Sequence, residues 1–271
     1  MSDVKERYPK ILYSCYFSRS REGEQFIPEH VFSFQVAGSL SVQDGNKLYL
    51  FQEGDYRLSR RNRLAKFVKQ PPENGEFKSI SIYLEQEMLR ALSHEWNLKS
   101  ERNPGTNAAV FVLKEHPLYK SYMDSLWVYL RLPEAEQRKF MDLKIREAVQ
   151  LLLKVNPETK NILFDFSEPG KIELKAFMEK NFKFNVSLDR FAYLTGRSLA
   201  TFKRDFQKSF NTSPRHWLQQ KRLQEAHFLL KEKHQAVSEV CQDVGFENLS
   251  HFSYAFKKQF GYTPTEIKYA P

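Results

Sequence analysis

The chain has 271 residues, 41% of them hydrophobic and 28% charged, with a mean hydropathy of −0.60, the make-up of a globular protein in water. No apolar stretch is long enough to span a membrane, the charged start MSDVKERYPK leads only to a brief apolar patch at 11–17 with no small-residue cleavage site, and Cys15 and Cys241 suggest neither a disulfide framework nor a metal motif, so a cytoplasmic protein is expected. Of the formal charge of +9, residues 171–271 carry +7, from 17 Lys and Arg against 10 Asp and Glu, which raises the expectation of a polyanionic partner for that region.

In chain order, residues 30–69 read as β structure, with partial apolar alternation and turn signals at Asp44-Gly45-Asn46 and Glu53-Gly54-Asp55. His30 reads as a surface or capping residue. The run Arg57, Arg60, Arg61, Arg63 with Lys66 and Lys69 reads as a solvated strand edge protected by charge. A strand at 80–84 leads into a helix around 85–96, and Asn103-Pro104-Gly105 marks a loop. Helical patterns follow at 118–132 and 134–154. The second shows a broad apolar face of Phe140, Leu143, Ile145, Ala148, Leu151 and Leu152, suited to an internal core or to self-association. The Pro and Gly of Ser167-Glu168-Pro169-Gly170 signal a boundary before the basic region, and a helix is expected at 172–182.

The basic region contains a repeat. Phe206, Phe210 and Pro214 match Phe256, Phe260 and Pro264 at an offset of 50. Upstream, Leu188, Phe191, Ala192 and Gly196 match Val237, Val240, Cys241 and Gly245 at an offset of 49, so one residue is inserted just after the second glycine. An insertion belongs in a turn. Each copy therefore reads as a short helix, a glycine-containing turn and a longer helix, the helix-turn-helix layout. In the longer helices Phe202, Phe206 and Phe210, and then Phe252, Phe256 and Phe260, recur every fourth residue and form stripes that must be buried. Two positions further round the helix stand Ala200, Arg204 and Lys208, with Lys203 and Gln207 beside them. In the second copy Ser250, Tyr254 and Lys258 stand there, with His251 and Lys257 beside them. Asp205 is the one acid between Ser198 and Phe210, and none lies between Leu249 and Phe260. Small or hydrogen-bonding residues at the helix start with cations further on fit a helix that reads base edges and rests its flanks on phosphates. Between the copies, Pro214 opens one long helix that would fix the distance between two reading heads about 34 Å apart.

Two helix-turn-helix units joined by a long helix, ending in GFENLSHFSYAFKKQFGYTP from Gly245 to Pro264, resemble the AraC/XylS family of bacterial transcription regulators over about the last 100 residues. The resemblance implies sequence-specific binding to promoter DNA and activation through contact with RNA polymerase. By position it implies base reading by Ala200, Lys203 and Arg204 in the first unit and by Ser250, His251 and Tyr254 in the second. Gln207, Lys208, Lys257 and Lys258 are expected to rest on phosphates. Many members have a larger or polar residue in place of Ala200 and an arginine in place of Tyr254, so apolar contact with thymine methyls is expected to contribute here.

The first region resembles the cupin-like sensory domain often found ahead of such units. The expected class is thus α+β, divided as a cupin-like sensory or interaction domain at 1–105, a helical linker and dimerisation segment at 106–168 and a bipartite DNA-binding domain at 171–271. A homodimer and a small-molecule or protein effector are expected, with no cofactor and no membrane partner. No nucleophile elbow, phosphate-cradling glycine loop or zinc-protease motif occurs, so no enzymatic activity is expected. Two alternatives stay open: a metal-dependent cupin enzyme with a DNA-binding tail, for which His30 alone is a poor ligand set, and a regulator controlled by a protein partner.

Overall fold

The computed structural model describes residues 11–21, 25–45, 47–101 and 108–269. The chain divides into two compact units, the first ending at Ser167 and the second beginning at Glu168.

The first unit opens with β1 (Ile11–Tyr16), β2 (Phe26–Ile27), β3 (His30–Ala37), β4 (Ser39–Asp44) and β5 (Lys47–Phe51). Then come β6 (Tyr56–Ser59), β7 (Arg63–Leu64), β8 (Lys66–Gln70), β9 (Phe77–Leu84), α1 (Gln86–Glu95) and β10 (Val110–Leu113). Three helices close it: α2 (Pro117–Leu130), α3 (Glu134–Val155) and the single turn α4 (Lys160–Leu163). The strands form an antiparallel sheet of order β1-β9-β3-β6-β10, a second of order β5-β4-β8 and a two-stranded ladder β2-β7.

Period-2 alternation explains the layering. Phe32, Tyr56, Leu58, Ile80, Ile82 and Leu84 share one face of the five-stranded sheet and are buried with Tyr119, Tyr122, Leu126, Ile145, Ala148 and Leu152 of α2 and α3. The intervening residues point the other way, where Leu40, Val42, Phe51, Phe77 and Val110 form a second cluster between the sheets. A turn falls at Gly45, as expected, with positive φ, while Asn46 and the loop signal Asn103-Pro104-Gly105 lie outside the described residues.

Three expectations are corrected. The segment 106–168, expected as a helical linker and dimerisation segment separate from the β domain, belongs as far as Ser167 to the same unit: β10 completes the main sheet, and α2 and α3 share its core. The apolar face of α3 accordingly splits, with Ile145, Ala148 and Leu152 buried while Leu143 remains 63% exposed. His30 is no surface residue; it is buried at the start of β3, where Nδ1 accepts the Arg61 backbone N–H at 3.3 Å. Burial, reinforced by Arg61 and Arg60, lowers its pKa to about 3. The arginines of that run form no solvated edge: Arg57 lies on β6, inside the sheet between β3 and β10, whereas Lys66 and Lys69 do stand on β8, an outer strand of the three-stranded sheet. Arg57, Arg60 and Arg61 are buried. Arg60 pairs with Asp165 at 3.2 Å and Arg61 donates to the Ser167 carbonyl at 2.9 Å.

The second unit is all helical: α5 (Leu174–Asn181), α6 (Leu188–Leu194), α7 (Leu199–Phe210), α8 (Pro214–Lys231), α9 (Val237–Asp243) and α10 (Leu249–Phe260). Their starts follow capping chemistry. The side chains of Glu173, Ser187, Ser198, Ser213 and Asn248 each accept a first-turn backbone N–H, and Pro214 occupies the first turn of α8.

Candidate nucleic-acid interface

Both sharp turns rest on glycine. Gly196, between α6 and α7, has φ +64, and a Cβ there would come within 2.4 Å of the Gly170 backbone. Gly245, between α9 and α10, has φ +94, and its Cβ would meet the Lys183 carbonyl at 2.7 Å. A larger residue is thus excluded by conformation and by space in both copies. The extra residue of the second copy is absorbed between Gly245 and the capping Asn248, where Phe246 turns into the core.

The phenylalanine stripes are interior. Phe202, Phe206, Phe252 and Phe256 are fully buried. Phe206 lies 4.3 Å from Phe210 and 5.6 Å from Trp217 of α8, ring centre to ring centre. In the second copy Phe256 lies 4.7 Å from Phe260, and the His227 ring of α8 covers both. One helix therefore serves two cores: its first half supplies Trp217, and its second half supplies Leu223, Ala226 and Leu230.

Burying those stripes turns the opposite sides of α7 and α10 to solvent. Ala200, Lys203, Arg204, Gln207 and Lys208 are all exposed, and so are Ser250, His251, Tyr254, Lys257 and Lys258. Asp205 flanks the ridge and accepts from Arg197 Nε at 3.1 Å, which holds its carboxyl below the usual range. Arg204 Nε stands 3.8 Å from the other carboxylate oxygen, and its side chain stays mostly exposed. At the start of α10 the structure adds Leu249, 47% exposed beside Ser250, with Tyr254 a turn later at 69%. Leu249 is not evident from the sequence, because a leucine at a helix start reads as core, and its counterpart Leu199 is indeed half-buried; the signal is the row Leu249, Ser253, Lys257 adjoining the exposed row.

An exposed cationic ridge on each of two similarly capped helices can present donors to base edges near the helix starts and charge to phosphates along the flanks. Among the described residues, no three His, Cys, Asp or Glu side chains are grouped to hold a metal ion, and no helix is long and apolar enough to cross a membrane.

Comparison with known proteins bears on both units. Residues 191–269 match the helix-turn-helix domain model, and residues 30–164 match the ExsA N-terminal regulatory domain. The chain is 30% identical over 273 residues to the HTH-type transcriptional regulator ExsA of Pseudomonas aeruginosa, covering 99% of this chain and 96% of that protein. It is 23% identical over 252 residues to the thermoregulatory protein LcrF of Yersinia pestis, covering 92% and 89% respectively. To the HTH-type transcriptional activator RhaS of an Enterobacter species it is 30% identical over 96 residues, 35% of this chain and 34% of that protein.

Proposed function

The chain belongs to the AraC-type family of helix-turn-helix transcription regulators, and on that premise we propose that α7 and α10 enter successive major-groove segments on one side of a promoter duplex. The protein is a sequence-specific DNA-binding regulator of transcription. In the proposed contact Arg204 donates two hydrogen bonds to one guanine, Lys203 reaches a neighbouring acceptor, and Ala200 lies against a thymine methyl. Ser250 and His251 supply hydrogen bonds in the second segment, where Tyr254 and Leu249 favour thymine-rich sequence. Gln207, Lys208, Lys257 and Lys258 hold phosphates. The observation that supports this most is the recurrence, in both copies, of an exposed cationic ridge directly opposite a buried phenylalanine stripe.

The test is binding of the full chain to a promoter duplex and to a shuffled duplex across a salt series. Specific binding should exceed non-specific binding by about a thousandfold or more at physiological salt. Equal affinities would refute base reading.

The same proposal places the protein in the cytoplasm with the chromosome and has it activate transcription by touching RNA polymerase. It also has the protein pair with a second copy through the helical layer of the first unit, where Val128 and Leu143 stand 66% and 63% exposed. For the signal received by that unit, one observation favours a small organic anion over a protein. Arg57 is only 5% exposed and makes one side-chain hydrogen bond among the described residues, to Gln35 Oε1 at 3.4 Å, on a sheet face shared with the buried Ser33 and Ser79. A carboxylate would satisfy the remaining donors. Short mono- and dicarboxylates should then raise the melting temperature of the wild type and leave that of Arg57→Met unchanged.

A further inference from the structure

We propose that Arg222 is the positioning residue that locks the two helix-turn-helix units into one rigid reading frame and so sets the half-site spacing the protein accepts. The inference rests on the reading above, that both units engage one duplex.

Arg222 lies in the middle of α8, between the half that serves the first core and the half that serves the second. Each of its three guanidinium nitrogens donates to a backbone carbonyl. Nε donates to Phe182 at 2.8 Å and Nη2 to Phe184 at 2.7 Å, both in the segment joining α5 to α6 of the first copy. Nη1 donates to Gly245 at 2.9 Å, in the turn of the second copy. One planar group thus bonds the backbone leading into the first unit and the turn of the second at once. The seam continues on either side: Lys183 pairs with Glu225 of α8 at 2.5 Å, and Asn185 donates to Glu247 of the second turn at 2.6 Å. Gly245 is compelled to be glycine by the same seam, since a Cβ would also press on Arg222 Cζ at 3.0 Å.

The chemistry suits orientation better than stability. Burial pulls the Arg222 pKa down to about 10, with Glu247 opposing that fall, so the group stays charged at neutral pH while its three nitrogens bond to carbonyl dipoles. A well-packed apolar residue would avoid that desolvation cost. What an apolar residue lacks is direction. The apolar contacts that seat each unit on α8 are non-directional and allow rocking. A planar fork bonded to three carbonyls at fixed angles does not.

Inserting one base pair between half-sites rotates one groove segment by about 35° and shifts it by about 3.4 Å relative to the other. A rigid pair of heads cannot follow that change, whereas a loosened pair can. The experiment measures the affinity of the full chain, wild type and Arg222→Lys, for three duplexes: the selected site, the site with one inserted base pair, and the site with its second half scrambled. Lysine keeps the charge but cannot span three carbonyls. The wild type should lose about tenfold or more on the insertion, and Arg222→Lys less than about threefold, with the two equal on the single half-site. Asn185→Ala, on the exposed part of the seam, should shift the insertion penalty in the same direction by a smaller factor, and it decides the matter if Arg222→Lys does not fold. A wild type indifferent to spacing would refute the two-segment reading itself. A wild type sensitive to spacing, with variants that keep the full insertion penalty, would overturn the role of Arg222 alone.

Discussion

The first helix-turn-helix copy buries Phe202 and Phe206 beside Trp217, and the second buries Phe252 and Phe256 beneath His227. Both turn on a glycine with positive φ, and both cap the longer helix with a short polar side chain, Ser198 in one and Asn248 in the other. Outward, the copies part. The first shows Ala200, Lys203 and Arg204, and the second shows Ser250, His251 and Tyr254 with Leu249 beside them. Packing leaves little freedom to the interior stripe, because a cavity or an overpacked ring is felt at once. The solvent side carries no such constraint and is free to differ between the copies. In the proposed contact with DNA, the same scaffold would thus hold two different readers.

The largest expected effect tests the shared plan. Phe206→Ala and Phe256→Ala should each cost about 3–5 kcal/mol in denaturant unfolding. A much smaller loss in one copy would show that its stripe is not the core of the unit. Turn geometry comes next. Gly196→Ala and Gly245→Ala should each cost about 1–3 kcal/mol, because the strained φ is joined by a collision with backbone. Gly261→Ala, with a similar φ but open space around it, should cost about 1 kcal/mol. Equal losses at all three would show that the close approaches relax freely.

The outward difference is tested on DNA. Arg204→Ala should weaken binding by about 1–3 kcal/mol and relax preference at one base position. Tyr254→Ala should cost less and lower the preference for thymine, while Lys258→Ala should weaken all sequences alike and reduce the salt slope by about one contact. A competition selection on randomised duplexes measures all three, and identical profiles for Arg204→Ala and Tyr254→Ala would erase the distinction between the readers. The smallest effect is a pH dependence confined to the second copy. Burial, with Lys231 nearby, holds the His227 pKa below its ordinary 6.5, so the unfolded chain takes the proton first. Stability from this group is complete above pH 6.5 and declines as pH falls below it. Hydrogen exchange should show α10 opening before α7 on acidification, and His227→Gln should remove the difference.

How much of this was legible in the sequence differs between the units. In the second, every informative relation is local: stripes of period four, polar residues just ahead of helix starts, glycines at matched offsets. The exposed set from Ala200 to Lys258 follows from those relations. In the first unit the decisive contacts are remote. Arg60 finds Asp165 and Arg61 finds the Ser167 carbonyl more than a hundred residues away, and no spacing around the arginine run reveals either. Arg57 alternates with Tyr56 and Leu58, a pattern that reads as one wet face, yet both faces of β6 are covered. His30 misled in the same way. The helices after residue 106 were legible as helices but not as part of the sheet's core, because an amphipathic pattern does not name what it packs on.

The proposed contact brings two ridges to one side of a duplex, and hydroxyl-radical footprinting of the full chain on its selected promoter site tests that most directly. Two protected patches should appear about ten base pairs apart on the same face of the helix, with Arg204→Ala weakening the first patch and sparing the second. A single patch, or two on opposite faces, would contradict it.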